Sequence, residues 1–226
     1  MYSNKYLCHM MKVEIWSDVV CPYCYIGKRE FENALARFPY RDEVEVEWKS
    51  FELDREAPVR AEDDMFTMLA KKYGRTYEEA KGMVAGVVQR ARTVGLEYDM
   101  EHAVMGSSFD AHRLIQFAKT KSKASEAEER LFKAHFVLGE HIGDRAVLKS
   151  IAEEIGLDGK EVEEMLATEA FAEAVHGDEY EAQQIGVSGV PFFVLDRKYA
   201  VSGAQASDHF LGALQQAWTE REAVKP

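Results

Sequence analysis

The chain has 226 residues, of which 46% are hydrophobic and 30% are charged, a composition typical of globular proteins that are large enough to bury a core. Its 28 Lys and Arg residues are outnumbered by 40 Asp and Glu residues, and the formal net charge of -12 disfavours binding to nucleic acids and to anionic lipid. No apolar run reaches the length of a bilayer span, so neither a nucleic-acid partner nor a membrane is expected.

The N-terminal part of the chain predicts a strand, a helix and a second strand. Residues 1–10 have mixed polarity without a period, and we expect a flexible extension there. Residues 12–17 form a short apolar run typical of a buried strand, and a helix follows from Pro22 because proline suits a first helical turn. Glutamate then alternates with valine or tryptophan over residues 43–48, which predicts a strand that ends near Phe51. Two strands joined by a helix are expected to be parallel.

The middle of the chain keeps a helical pattern from about Ala61 onwards. Gly74 is expected to end the first helix, Thr76-Tyr77-Glu78-Glu79 has the capping-box sequence that opens the second, and Gly95 is expected to end that one. Further helices are predicted at residues 109–121, 125–140, 144–156, 158–168 and 170–184.

The C-terminal part predicts a hairpin and a last helix. Residues 192–195 and 199–202 are compact apolar runs, and the short polar link between them suits a hairpin. Ser207 is the predicted N-cap of a helix that continues through Trp218. The predicted order is therefore β-α-β, an all-α block and β-β-α.

The strongest chemical signal is the motif Cys21-Pro22-Tyr23-Cys24. A cysteine at the start of a helix faces unpaired N–H groups and the positive end of the helix dipole, which stabilise a thiolate, so Cys21 is the predicted nucleophile. Cys24 lies one turn further along the same side of the helix and is the predicted resolving thiol. Two alternatives are half of a zinc site and an inert buried pair. Because a zinc site needs four ligands and only Cys8 and scattered histidines remain, no metal is expected.

The cellular compartment follows from the same cysteine count. Three cysteines are too few for a disulfide scaffold, and the first twenty residues lack a basic segment followed by an apolar one. We therefore expect a cytoplasmic protein. The oligomeric state does not follow from the sequence.

The dipeptide Val190-Pro191 precedes a predicted strand. On the residues alone, Pro191 is interpreted as an ordinary residue at a strand start with a trans bond, because only about 5% of X-Pro bonds are cis.

Taken together, the motifs resemble a known family. The strand running into Cys-x-x-Cys at a helix start and the later Gly-Val-Pro before a hairpin resemble the thioredoxin superfamily, and the helical block resembles its DsbA-like branch. Residues 17–28, 109–114 and 189–194, followed by Ser202-Gly203-Ala204-Gln205, are similar to the FrnE-type subfamily. The resemblance implies an α/β thioredoxin fold formed by residues 11–60 and 170–226, interrupted by an all-α insertion domain at residues 61–169. It also implies a cis bond at Val190-Pro191, with the carbonyl and N–H of Val190 free to bind an extended substrate.

The function that this resemblance implies is thiol-disulfide exchange by Cys21 and Cys24. The substrates would be polypeptides or small thiols that carry a disulfide or dithiol, and no organic cofactor would be needed. One alternative is the kappa-type glutathione transferases and the 2-hydroxychromene-2-carboxylate isomerases. Those enzymes typically carry Ser at the position of Cys21 and an acidic residue in the segment that is Gly203-Ala204-Gln205-Ala206 here, and both differences argue against tight glutathione binding. Another alternative is a holdase that uses the methionines of the helical block, although these residues are more simply core.

Two further residues are weaker site candidates. Asp18 lies three residues before Cys21, where it would either oppose a thiolate or cap the turn. His112 belongs to a segment included in the resemblance and would approach the active site across the domain boundary, although a lone histidine on a helix more often has a packing or surface role.

Overall fold

The computed structural model describes residues 10–223. Within that range the strands form one sheet in the order β2-β1-β3-β4, with β1 at Met11–Ser17, β2 at Val44–Ser50, β3 at Phe192–Leu195 and β4 at Tyr199–Ser202. β1 and β2 are parallel, whereas β3 is antiparallel to both β1 and β4. The predicted parallel pair, the hairpin and the α/β fold class are therefore confirmed.

Helices occupy the positions that the periodicity predicts. α1 (Pro22–Arg37) joins the parallel strands, and α9 (Ser207–Ala223) follows the hairpin and packs against α1. The chain between β2 and β3, called the helical block below, contains α2 (Met65–Tyr73), α3 (Tyr77–Arg92), α4 (Phe109–Thr120), α5 (Ala124–Phe136), α6 (Arg145–Glu154), α7 (Gly159–Leu166) and α8 (Ala172–Gln184).

Three buried aromatic rings hold α1 and α9 against the sheet. Phe193 of β3 has its ring centroid 5.5 Å from that of Phe31 in α1 and 4.6 Å from that of Phe210 in α9. Offset and edge contacts of this kind stabilise a core beyond the burial of apolar area. The helix that begins at the cysteine motif is therefore fixed to the strand that follows Pro191.

The predicted cap of α3 is present. Thr76 accepts a hydrogen bond from the Glu79 N–H at 3.2 Å, and the Glu79 carboxylate accepts one from the Thr76 N–H at 2.8 Å. Gly74 ends α2 in the left-handed conformation at a φ of 62°. Both features are local, and the sequence alone was sufficient to predict them.

Several predicted helix ends are wrong, mostly because residues with positive φ stop the helix elsewhere. The predicted stop at Gly95 is not among these errors: α3 ends at Arg92, and left-handed Gly95 closes it, with its N–H donating to the Arg92 carbonyl and the Leu96 N–H donating to the Ala91 carbonyl, each at 3.1 Å. Instead of running to Glu140, α5 ends at Phe136, because the chain turns ahead of Gly139, which has a φ of 63°. α8 begins at Ala172 rather than at residue 170, since Phe171 is left-handed. Ser207 is the first residue of α9 and not its cap; its N–H donates to Glu30.

Polar contacts hold the helical block against the edge of the sheet. Asp178 of α8 accepts a hydrogen bond from the Ser50 N–H at 3.0 Å, and its backbone carbonyl accepts one from the Trp16 indole at 2.9 Å. On the other side, the Glu129 carboxylate of α5 binds Lys28 of α1 at 2.7 Å. These contacts fix α8 against the strands β1 and β2, and α5 beside the first half of α1.

Some predictions lie outside what the structure tests. The predicted extension, including Cys8, falls almost wholly on residues 1–9, which are outside the described residues, and the division into two domains stays a prediction. Of the methionines considered for a holdase surface, Met65 and Met100 are buried whereas Met83 is exposed. Within residues 10–223, none of the helices has the length and apolar character that a bilayer span requires.

Candidate active site

The cysteine motif forms the first turn of α1. Cys21 is the N-cap residue, with an extended backbone at φ -91° and ψ 113°, and Pro22 is the first helical residue. The N–H of Cys24 donates to the Cys21 carbonyl at 3.0 Å, and the Cys21 N–H donates to the Asp18 carbonyl at 2.9 Å. The turn is thus held by its own backbone, and the Cys21 side chain makes no cap hydrogen bond to the N–H groups of the helix start in the dithiol state.

The two thiols differ in their surroundings. Cys21 retains 5% of its surface and Cys24 only 1%, so a substrate reaches Cys21 first. Burial raises the pKa of the Cys24 thiol well above its usual value, and the adjacent Cys21 raises it further. Cys24 therefore stays protonated while Cys21 is reduced. Tyr23, between the two cysteines, is 46% exposed.

The loop before β3 lies against Cys21. The Val190-Pro191 peptide bond is cis, the isomer that the family resemblance implied, and the Cys21 thiol donates a hydrogen bond to the Val190 carbonyl at an Sγ to O distance of 3.6 Å. The expectation that this carbonyl is free is therefore wrong for the dithiol state.

Gly27 allows the loop to approach α1 this closely. A Cβ atom at Gly27 would lie 2.8 Å from Cγ of Pro191, a distance that real Cβ contacts do not reach. Glycine inside a helix costs about 1 kcal/mol relative to alanine. The packing of Pro191 accounts for its presence here.

Asp18 and His112 form a buried pair behind the motif. Asp18 is fully buried, and its carboxylate accepts hydrogen bonds from the Leu53 N–H at 2.7 Å and the Val20 N–H at 3.3 Å. His112 Nε2 lies 3.3 Å from Asp18 Oδ1. Of the two roles considered for Asp18, the geometry supports the cap of the turn, and His112 reaches the site from α4.

Asp18 and His112 shift each other's pKa. Burial alone would raise the pKa of Asp18, but the hydrogen bond and charge of His112 outweigh it and hold that pKa below its usual value. Burial likewise disfavours a charged His112, but Asp18 raises its pKa. Each group therefore favours the charged form of the other.

Two buried carboxyls near His112 have raised pKa values. Burial raises the pKa of Glu52 and of Glu128 to about 7, and in both cases the charge of His112 opposes the rise. Among the described residues, Glu128 Oε2 and His112 Nδ1 have no hydrogen-bond partner. Sequence patterns gave no signal for either glutamate, since both lie in segments that look like solvated faces.

The sequence also missed Tyr98, whose hydroxyl donates to the Pro22 carbonyl at 2.7 Å. Gly27 had a signal in principle, because glycine inside a predicted helix requires an explanation. Within the described part of the chain, no three His, Cys, Asp or Glu side chains converge in a way that would hold a metal ion.

Comparisons with known proteins show the family of the chain. Residues 12–215 match the DsbA-like thioredoxin domain. The chain is similar to the crystal structure of a probable DsbA oxidoreductase from Streptomyces coelicolor, with 44% identity and a TM-score of 0.90 over 96% of this chain and 92% of that one. A Bacillus subtilis protein of uncharacterised function, YwbO, is 28% identical over 204 residues, which cover 89% of this chain and 94% of YwbO.

A more distant likeness concerns the fold alone. A 2-hydroxychromene-2-carboxylate isomerase has a TM-score of 0.68 over 96% of this chain and 100% of that one, but only 13% of the residues are identical. The resemblance between the two architectures carries no information on which chemistry the site performs.

Proposed function

The chain belongs to the DsbA-like thioredoxin domain family, and we propose that it is a thiol-disulfide oxidoreductase of the FrnE type in which Cys21 is the nucleophile and Cys24 resolves. The observation that carries the proposal is the position of Cys21: it is the N-cap of α1, and its sulfur lies 3.6 Å from the carbonyl of Val190, next to Pro191. A helix start stabilises the thiolate, and the neighbouring backbone offers a place for the substrate.

In the first step the Cys21 thiolate attacks one sulfur of a substrate disulfide. A bond forms between Cys21 Sγ and that sulfur, the substrate S–S bond breaks, and the other substrate sulfur leaves as a thiolate. The buried, protonated Cys24 does not compete for the substrate, because its pKa is raised and its surface is covered.

In the second step Cys24 attacks Cys21 Sγ. The mixed disulfide has removed the charge of Cys21, so the neighbour that raised the pKa of Cys24 no longer opposes its ionisation. The internal disulfide forms, the substrate leaves with two electrons from the cysteine pair, and the proton of Cys24 ends on a substrate thiol. Oxidation of a substrate dithiol is the reverse sequence, and the reduction potential relative to the compartment sets the direction.

Substrate binding is coupled to the first step through Val190. Its carbonyl accepts from the Cys21 thiol in the dithiol state, and loss of that proton frees the carbonyl for an N–H of the substrate backbone. An extended polypeptide could then pair with the loop as an added strand would. Disulfide- or dithiol-containing polypeptides are accordingly the proposed substrates, with small thiols as alternatives.

The proposal needs no organic cofactor, because the redox equivalents are held in the cysteine pair. It includes a cytoplasmic location, supported by three cysteines in 226 residues, which is unlike a disulfide-stapled secreted domain. Cell fractionation tests the location.

Turnover with insulin and dithiothreitol tests the activity. We expect Cys21→Ser to abolish it, Cys24→Ser to accumulate a mixed disulfide visible by mass spectrometry, and Cys8→Ser to act as the wild type. Isomerase activity that survives Cys21→Ser would instead support the glutathione-dependent alternative. Insulin turnover that persists in Cys21→Ser would refute the assignment of the nucleophile.

A further inference from the structure

Tyr98 connects the helical block to the active-site turn. It lies between α3 and α4, retains 8% of its surface, and its hydroxyl donates a hydrogen bond to the Pro22 carbonyl at 2.7 Å. That carbonyl and the N–H of Tyr23 belong to the same peptide unit. The hydroxyl therefore acts on a peptide that is part of the cysteine motif.

The position of the hydroxyl is fixed by the packing of its ring. The ring centroid of Tyr98 lies 4.8 Å from that of Phe136 and 6.1 Å from that of Tyr25, in stacked arrangements. The next residue, Asp99, donates its N–H to the Phe136 carbonyl at 2.7 Å. Burial raises the pKa of the Tyr98 phenol far above its usual value, so the group stays a neutral donor at any physiological pH.

The peptide unit transmits the effect of this bond. The N–H of Tyr23 is one of the first in α1 and has no carbonyl partner within the helix. The Cys21 side chain makes no cap hydrogen bond in the dithiol state, where its thiol donates to Val190, so this N–H is available to the sulfur only after Cys21 has lost its proton. A donor on the carbonyl of a peptide polarises the unit and strengthens its N–H as a donor. The thiolate form of Cys21 gains from a stronger N–H, whereas the disulfide has no charge and gains little.

We propose that Tyr98 is a positioning residue that acts through the Pro22-Tyr23 peptide to stabilise the Cys21 thiolate and so makes the Cys21-Cys24 disulfide more oxidising. The inference rests on the proposed function, because it concerns the redox poise of the same cysteine pair. It assigns to the helical block an electrostatic role that reaches the cysteines through this peptide.

The test compares Tyr98→Phe with Tyr25→Phe. Both variants remove a hydroxyl from the same aromatic stack, but the hydroxyl of Tyr25 donates to Glu129 at 2.7 Å and does not contact the Pro22 carbonyl. Each protein is equilibrated in glutathione buffers, and the oxidised fraction is measured by thiol trapping. We expect the equilibrium constant for disulfide formation to rise about two- to fourfold in Tyr98→Phe and to stay at the wild-type value in Tyr25→Phe.

Alkylation of Cys21 gives a second readout. The rate with iodoacetamide at pH 7 should fall about two- to fourfold in Tyr98→Phe, since less thiolate is present. Replacing Tyr98 by 4-aminophenylalanine, which retains a donor in the same place, should return both values toward the wild type. This variant keeps the test decisive if Tyr98→Phe does not fold.

The outcomes separate the two claims. Wild-type constants and rates in Tyr98→Phe would overturn the inference, and so would equal changes in Tyr98→Phe and Tyr25→Phe, which would indicate a general effect of the aromatic stack. A wild-type protein that forms no disulfide in any glutathione buffer would contradict the proposed function itself.

Discussion

Replacing Glu128 by Gln should make the stability of the protein less sensitive to pH. Glu128 lies on α5, retains 1% of its surface, and has one carboxylate oxygen without a partner among the described residues. Burial raises its pKa from 4.5 to about 7, although His112 and Lys28 oppose the rise. Gln has the shape of the protonated carboxyl but cannot ionise, so it isolates the cost of the charge.

The sign and size follow from the difference between the folded and unfolded chains. A carboxyl with a raised pKa holds its proton more tightly when folded, so the free energy of unfolding falls as the pH rises from 4.5 to about 7 and is level above that. At 1.36 kcal/mol per pKa unit, the gap between these two values corresponds to about 3 kcal/mol. Glu52 contributes to the pH dependence of stability with the same sign. Because Glu52 is present in both the wild type and Glu128→Gln, its contribution cancels when the two proteins are compared.

Urea unfolding of the reduced proteins at pH 5 and pH 8 measures the effect. The stability of Glu128→Gln relative to the wild type should increase between these pH values by up to about 3 kcal/mol. Glu126→Gln is the matched control, because Glu126 lies on the same helix, is exposed, and forms a pair with Lys123 at 3.0 Å. An unchanged difference between pH 5 and pH 8, or the same increase in the control, would refute the reasoning.

Other predictions concern the cysteines, the loop and the buried pair. Iodoacetamide at less than one equivalent and pH 7 should modify Cys21 and spare Cys24, because burial raises the pKa of Cys24; peptide mass spectrometry would contradict this if Cys24 were labelled first. Gly27→Ala should slow insulin turnover and lower the melting temperature, since its Cβ would overlap Pro191, whereas Gly82→Ala on α3 has nothing within 4 Å and should stabilise by about 0.5–1 kcal/mol. Wild-type insulin turnover and a wild-type melting temperature in Gly27→Ala would show that the contact between Gly27 and Pro191 does not hold the loop. His112→Ala should cost about 3 kcal/mol in urea unfolding, since it leaves the Asp18 carboxylate buried without its charge partner. Partial recovery in Asp18→Asn/His112→Ala would support the pairing, since the cavity left by the imidazole remains. A cost under 1 kcal/mol in His112→Ala would contradict it.

The local features of the fold could be predicted from neighbouring residues. The alternation before Trp48 predicted β2, and the capping box at Thr76 predicted the start of α3, because both depend on residues within one turn or one strand. Errors occurred where backbone conformation was decided elsewhere. Phe171 has a left-handed backbone that its own side chain does not favour, and Ser207 offers its N–H to Glu30, which lies 177 residues away in the chain.

By itself, the sequence determined the cysteine pair, the helix start that places Cys21 at its N-cap, and the α/β class, since each of these depends on short-range spacing. The resemblance added the isomer at Pro191. Only the tertiary structure decided which groups surround the cysteines: His112 meets Asp18 across 94 residues, Tyr98 reaches the Pro22 carbonyl across 76, and Gly27 makes room for Pro191. The physical reason is that such contacts depend on how the helical block packs against α1. The partners are far apart in the chain, so the residues next to a buried polar group do not indicate which group it contacts.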